Sequence, residues 1–312
     1  SFAMVSSFTG ALGPSAGGFG GGGALTRYFT QLDPVANAYY ELATPIALTG
    51  DFETYYSATS TAAMNFTDTL GVNSSGVIQS DNSTDVEVNG VSVGLGAMLP
   101  LDGKLNHIKF IGLTAVDITV FWRSGTATNY FDGIPSDVKI TDTSGAEDVI
   151  TTFPLDSGKG VSVENSLEGN NSLTRINVAD DDIGLYTKTD DGWLGIERVT
   201  NGGFDTDSDW THTSTSISEG SLIFGEGTTY ADQTNKLTVG DTYSISYDMK
   251  QFSGTTTGMS SMSFDSTYAQ SLGEHTFIAQ ALSDKIRLVS TRAGNKIDNV
   301  SVKHLIQIAE QS

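Results

Sequence analysis

Along most of the chain, apolar and polar residues alternate in short runs that break at Gly, Asn, Asp or Ser. A period of two sends successive side chains to opposite faces, so this text predicts half-buried β-strands rather than helices. In the first half, strands are expected at Tyr39-Tyr40-Glu41-Leu42, Ile46-Ala47-Leu48, Asp51 to Tyr56, Val77-Ile78, Val86-Glu87-Val88, Lys109 to Leu113, Ile118 to Trp122 and within Tyr130 to Ile140. Asn89-Gly90 predicts a two-residue hairpin after Val88, because both of its positions accept positive φ.

The pattern restarts after Asn201-Gly202-Gly203-Phe204-Asp205-Thr206-Asp207-Ser208-Asp209-Trp210 and runs through Ser221 to Phe224, Asn235 to Val239, Thr242 to Met249, Glu274 to Ala279 and Lys285 to Val289. It closes on Lys296-Ile297-Asp298-Asn299-Val300-Ser301-Val302. The predicted class is all-β, with two β-sandwich (jelly-roll-like) domains behind a glycine-rich segment. The boundaries expected are 1–25 for an anchoring or oligomerising segment, 26–150 for the first sandwich, 151–198 for a turn-rich bridge, and 199–312 for the second sandwich. Leu173 to Val178 is the one strand expected inside the bridge.

Composition sharpens this picture. The chain has 312 residues, enough for two cores of ordinary size. Glycine is abundant and only 17% of residues are charged, which disfavours exposed helices. A net charge of -21 excludes long-range attraction to nucleic acid or an anionic membrane. With no cysteine, disulfides, thiolate metal sites and cysteine nucleophiles are excluded. No apolar run reaches the length of a membrane span, and the first residues lack the basic segment of a signal peptide.

Catalytic motifs are scarce. Gly13-Pro14-Ser15-Ala16-Gly17 fits G-x-S-x-G, and Gly18 to Gly23 fits G-x-G-x-x-G, but neither has the strand before it and the helix after it that these motifs need. Asp205, Asp207 and Asp209 copy the first ligands of an EF-hand loop, yet Trp210 stands where that loop requires glycine. Asp180-Asp181-Asp182 and Asp190-Asp191 read as solvated turns. His107, His212, His275 and His304 show no metal-binding spacing, so each is expected to be an ordinary strand or loop residue. No catalytic residues and no enzymatic activity are expected.

Two resemblances add to this reading. The opening N-G-G-F-D with Trp210, the closing I-D-N-V-S-V and the run Val239-Gly240-Asp241-Thr242-Tyr243 resemble carbohydrate-binding jelly rolls of the family 4/9/22 type. In that family a structural calcium often ties the opening segment to the closing strand, which implies Asp205 and Asp298 as ligands; Gly203 stands where relatives often carry an acid. The first half resembles laminin-G/concanavalin-A-like sandwiches in its L-T-G-D-F-E, V-N-G and F-D-G-I-P-S-D-V-K-I pieces, but lacks the E-x-D-x-x-E strand motif of the glycosidases on that fold. Sugar rings stack on exposed aromatic rings, so Tyr230, Tyr268, Trp210 and Tyr247 are the candidate glycan-binding residues. Trp210, close to the opening strand, is expected in the core.

The two resemblances together imply a non-enzymatic phage virion protein of the tail fibre, tail tip or capsid surface. It would assemble with copies of itself and other virion proteins and contact host surface glycans. The alternatives are the carbohydrate-binding part of a secreted or cell-surface bacterial protein, or a purely architectural capsid decoration protein. Neither nucleic-acid binding nor membrane insertion is expected.

Overall fold

The computed structural model describes residues 25–310 apart from 33, 61–62, 81, 124–128, 228, 254–256, 261–262 and 265–267. The glycine-rich segment 1–25, with both catalytic-looking patterns, lies outside the described residues except for Leu25. Among the described residues there is no α-helix, and one 3-10 turn at Asp180–Asp182 interrupts the strands. The chain is all-β, with antiparallel sheets packed as sandwiches. It divides into two compact units: the residues up to Asp190 with those from Gln307 onward, and Asp191–Ile306.

The first unit is built on the strand Tyr39–Ser57, which merges three of the predicted runs into one strand of 19 residues. It pairs with Asn106–Phe121 on one side and Ile134–Asp142 on the other. Pro45 has no N–H for a ladder, and the register with Asn106–Phe121 shifts between Glu41 and Ile46. A second irregularity surrounds Gly50, where a Cβ would stand 2.0 Å from the Thr141 carbonyl oxygen. Bulges therefore carry the strand past residues that would otherwise end it. The hairpin at Asn89-Gly90 forms as the sequence predicts, with φ of 51° and 83°.

Below this sheet Phe52, Phe66, Phe110, Phe121, Trp122 and Phe131 form a dense aromatic core. Trp122 meets Phe131 at 4.9 Å and Phe66 at 5.7 Å between ring centroids, both edge to face. On the opposite face, register lines up Lys139, Glu53, Lys109 and Glu87 in one row of alternating charge. Burial alone would raise the Glu53 carboxyl, but hydrogen bonds from His107 and Lys139 hold it below the ordinary value.

The bridge expected over 151–198 is corrected by the structure. Val149–Phe153 extends the large sheet beside Ile134–Asp142, and Ser172–Ile176 pairs with Tyr39 to Leu42 of the central strand. The turns between them are stapled by Arg175, which is buried. Its guanidinium donates to the carbonyls of Ser157 (2.6 Å), Gly158 (3.1 Å) and Val161 (2.8 Å) and pairs with buried Glu164. A turn-rich stretch reads as a linker in sequence, but one arginine collecting its carbonyls makes it part of the fold. Arg27 acts likewise, forking onto buried Asp137 at 2.9 and 3.1 Å and onto the Pro154 carbonyl at 2.6 Å. Ile183–Thr189 pairs with Thr26–Thr30.

The second unit is a sandwich of its own. Lys296–Ile306, the closing segment, is the axis of one sheet: Thr242–Gln251 lies on one side of it, with Gly273–Gln280 beyond. Ser221–Phe224 and Gly192–Glu197 pair with it on the other side. The second sheet has five strands in the order Thr211–Thr213, Thr229–Gln233, Ile286–Ser290, Thr257–Met259, Tyr268–Ala269. Ile245, Tyr247, Met249, Leu288, Ile286 and Val302 are among the side chains that fill the space between. The opening segment docks through Val300 N–H, which donates to the Gly202 carbonyl at 2.9 Å. Gly202 is required here, since a Cβ would stand 2.0 Å from the Val300 oxygen. The strand expected at Asn235 to Val239 does not form; Lys236 and Leu237 instead donate their N–H groups to the Asp284 carbonyl. Among the described residues no helix is long and apolar enough to cross a membrane.

Candidate functional site on the five-stranded sheet

In the five-stranded sheet, strand alternation sets which residues share a face. Ala231, Leu288, Met259 and Ala269 face the core, so Tyr230, Val289, Gly258 and Tyr268 face away from it. Register then does what sequence spacing cannot. Thr213 lies opposite Tyr230, Tyr230 opposite Val289, Val289 opposite Gly258, and Gly258 opposite Tyr268. Residues directly opposite in antiparallel strands share a face, so one row crosses the whole sheet and carries both tyrosines. Three strand spacings, about 14 Å, separate them.

Both rings are half-buried. Arg287 places its guanidinium 4.0 Å from the Tyr230 ring centroid and forks onto Asp232 through Nε (2.7 Å) and Nη2 (2.5 Å). The carboxylate balances the cation while the cation holds the ring, so a ligand ring can stack only on the opposite face of Tyr230. Between the tyrosines stand Val289, of modest size, and Gly258, which has no side chain and a φ of 153° that other residues rarely adopt. The row therefore carries two half-buried rings with Val289 and the buried Gly258 between them, bordered by an ion pair.

The other two candidate rings lie elsewhere. Trp210 is core, as expected: it is 7% exposed, packs on Phe204 at 5.4 Å and donates its indole N–H to the Asn201 carbonyl at 3.1 Å. Tyr247 is a correction. It is 1% exposed, faces inward from the other sheet and stacks on Phe277 at 5.8 Å. Burial pushes its hydroxyl far above the ordinary tyrosine range. The alternation of Thr242 to Met249 puts Tyr243, Ile245, Tyr247 and Met249 on one side, and that side is the core.

Asp205 lies exposed in the opening turn, its N–H bonded to Asn201 Oδ1 at 3.0 Å. Asp298 faces away from the core on the closing strand, opposite Asp248, with the Lys250 ammonium 3.8 Å away. Among the described residues no group of three or more His, Asp or Glu side chains could hold a metal ion. Asp205 and Asp298, the positions that the resemblance implies for calcium, belong to no such group. Of the histidines, His107 meets Glu53 at 3.1 Å and His212 meets Asp207 at 3.0 Å. His275 contacts the Ser271 carbonyl at 2.9 Å. His304 is buried beside the Tyr243 ring and 3.5 Å from Asp241. Burial and the nearby Arg198 charge depress its pKa to about 3, so its imidazole is neutral in the fold.

Asp232, Arg287, Val289 and Gly258 were not legible as site residues. The runs Thr229–Gln233 and Ile286–Ser290 alternate visibly, but which residues share a row depends on register. Comparison with protein-family models, curated proteins and solved structures gives no match for this chain.

Proposed function

We propose that this chain is a non-enzymatic glycan-contacting protein of a phage virion surface, and that the outward face of its five-stranded sheet is the contact surface. One observation carries the binding part: Tyr230 and Tyr268, two of the four candidate rings, stand in one row on one face with Val289 and Gly258 between them. Such a row suits an extended, neutral or weakly charged saccharide. Its rings stack on the tyrosines, and its hydroxyls find Asp232, Arg287 and Thr213 at the border. Preformed antiparallel strands hold the row, so binding orders little of the protein.

The virion setting rests on the sequence resemblances, and with it go the expected partners, copies of the chain and other virion proteins. The net charge of -21 makes an anionic polysaccharide a poorer ligand than a neutral one. A screen of immobilised glycans against the full chain and its Tyr230→Ala and Tyr268→Ala variants tests the binding part. Each variant should lose at least about tenfold in affinity, or ~1.4 kcal/mol. A glycan bound equally well by all three proteins refutes the assignment of this face.

A further inference from the structure

The first unit carries a second feature of a different chemistry. Met64–Asn65, Gly71–Val72 and Ile78–Gln79 form a small three-stranded sheet whose register sets Asn65 opposite Gly71 and Gly71 opposite Gln79. Two carboxamides thus share a face across a bare glycine. Side-chain atoms cannot be added in the middle, because a Cβ on Gly71 would stand 2.5 Å from the Met64 carbonyl oxygen and 2.9 Å from the Asn65 Cα. A cleft of about 510 Å³ opens over Asn65, Gln79, Asn129, Thr69, Ser80 and Asp68, and a second of about 210 Å³, sharing Asn65, Gln79, Asn129 and Thr69, continues it.

The chemistry of this lining is narrow. The carboxamides of Asn65, Gln79 and Asn129 and the hydroxyls of Thr69 and Ser80 line the first cleft. Within the fold Asn65 Nδ2 donates to the Thr67 carbonyl at 3.2 Å and Ser80 Oγ accepts from the Ser83 N–H at 3.1 Å, and a carboxamide or hydroxyl with one such bond keeps further donor and acceptor capacity. Among the described residues neither cleft is lined by a Lys, Arg or His, and the carboxylate of Asp68 is engaged as well: it accepts from Thr119 N–H (2.6 Å), Thr119 Oγ1 (2.7 Å) and Val120 N–H (3.2 Å). Asp68 fixes the wall and adds negative potential, which turns away anions. Phosphates, sulfates and carboxylates lack a counter-charge here, whereas a neutral ligand bearing several adjacent hydroxyls matches groups that both donate and accept. Among the described residues no lining residue is aromatic, so recognition would be by hydrogen bonding rather than by stacking.

We infer that this amide-lined cleft is a second binding site, for a neutral polyhydroxylated ligand of the carbohydrate class, separate from the tyrosine row of the other unit. The inference stands on its own geometry and holds whether or not the tyrosine row binds.

The test is affinity electrophoresis of the full chain in native gels cast with dextran, mannan or galactomannan. The variant Gln79→Ala/Asn129→Ala removes two amides, Gln79 being exposed, without touching the core; a second variant, Gln79→Glu, keeps the shape and adds a charge. The parent is compared with both, and with Tyr230→Ala/Tyr268→Ala. Retardation by at least one polysaccharide that survives in the tyrosine double variant and falls at least fivefold in both cleft variants is the expected result. Equal retardation of parent and cleft variants, or no retardation of the parent by any of the three, overturns the site. Loss only in the tyrosine variant overturns it too, while leaving the tyrosine face supported. Unchanged melting temperatures of the cleft variants separate lost binding from lost folding.

Discussion

Replacing Arg175 by Met tests the claim that one side chain makes a turn-rich stretch part of the first unit. The variant removes three hydrogen bonds to the Ser157, Gly158 and Val161 carbonyls and leaves Glu164, 1% exposed, without its cation. Bonds from a charged donor contribute about 1.5–3 kcal/mol each in favourable cases, but the loop carbonyls can turn to water once released, so their sum overstates the cost. Stranding a buried carboxylate by removing its partner costs about 3–5 kcal/mol, and this dominates. The expected loss is therefore about 4 kcal/mol, read from urea unfolding followed by far-UV circular dichroism. Arg175→Met/Glu164→Leu removes the stranded charge as well and should recover at least half of that loss. A single-variant loss under about 1 kcal/mol, the range of an exposed ion pair, refutes the reasoning. A double variant no more stable than the single one refutes the stranded-charge part alone.

Other consequences follow from the same structure. His304 is neutral in the fold with a pKa near 3 against an ordinary 6.5, so the folded state binds fewer protons than the unfolded one; its contribution is complete above pH 6.5 and is lost as pH falls toward 3. By pH 4.5 the parent should lose roughly 3 kcal/mol that His304→Gln does not lose, so the stability gap between the two should shrink on acidification; a gap that widens contradicts the assignment. Gly202→Ala should destabilise the second unit by at least ~2 kcal/mol in thermal melts, because its Cβ would overlap the Val300 carbonyl; an unchanged Tm refutes that contact. Calcium and EDTA should leave the Tm of the full chain unchanged, since among the described residues no three His, Asp or Glu side chains gather to hold a metal ion; a rise with calcium that Asp298→Asn abolishes counts against this. Electron microscopy of the native assembly should show the chain on a phage particle; a free soluble monomer contradicts the virion setting.

The all-β class was legible because period-2 alternation survives in strands such as Asn106–Phe121, Ser172–Ile176, Thr242–Gln251 and Gly273–Gln280, and the hairpin at Asn89-Gly90 was legible because its turn needs those two residues. The long central strand was not, since Pro45 and Gly50 write the signals of a strand end while bulges absorb them. The segment 151–198 looked like a bridge because turns dominate its text, and the arginine that gathers them contacts residues 11 to 18 positions away. In the candidate site, Tyr230 and Tyr268 could be proposed from their polar surroundings. Their alignment could not, because register across five strands is fixed by pairings up to 61 residues apart in sequence. Tyr247 misled for a related reason: the alternation of its strand marks two faces without saying which is the core.

The most direct test of the tyrosine face is hydrogen–deuterium exchange of the full chain with and without a glycan recovered from the screen. Slower exchange in peptides covering Thr229–Gln233, Ile286–Ser290 and Thr257–Met259 is the predicted result, since these strands carry the row between the two rings. Protection confined to Thr242–Gln251 and Gly273–Gln280, on the other sheet, would place the ligand on the wrong face and contradict the account.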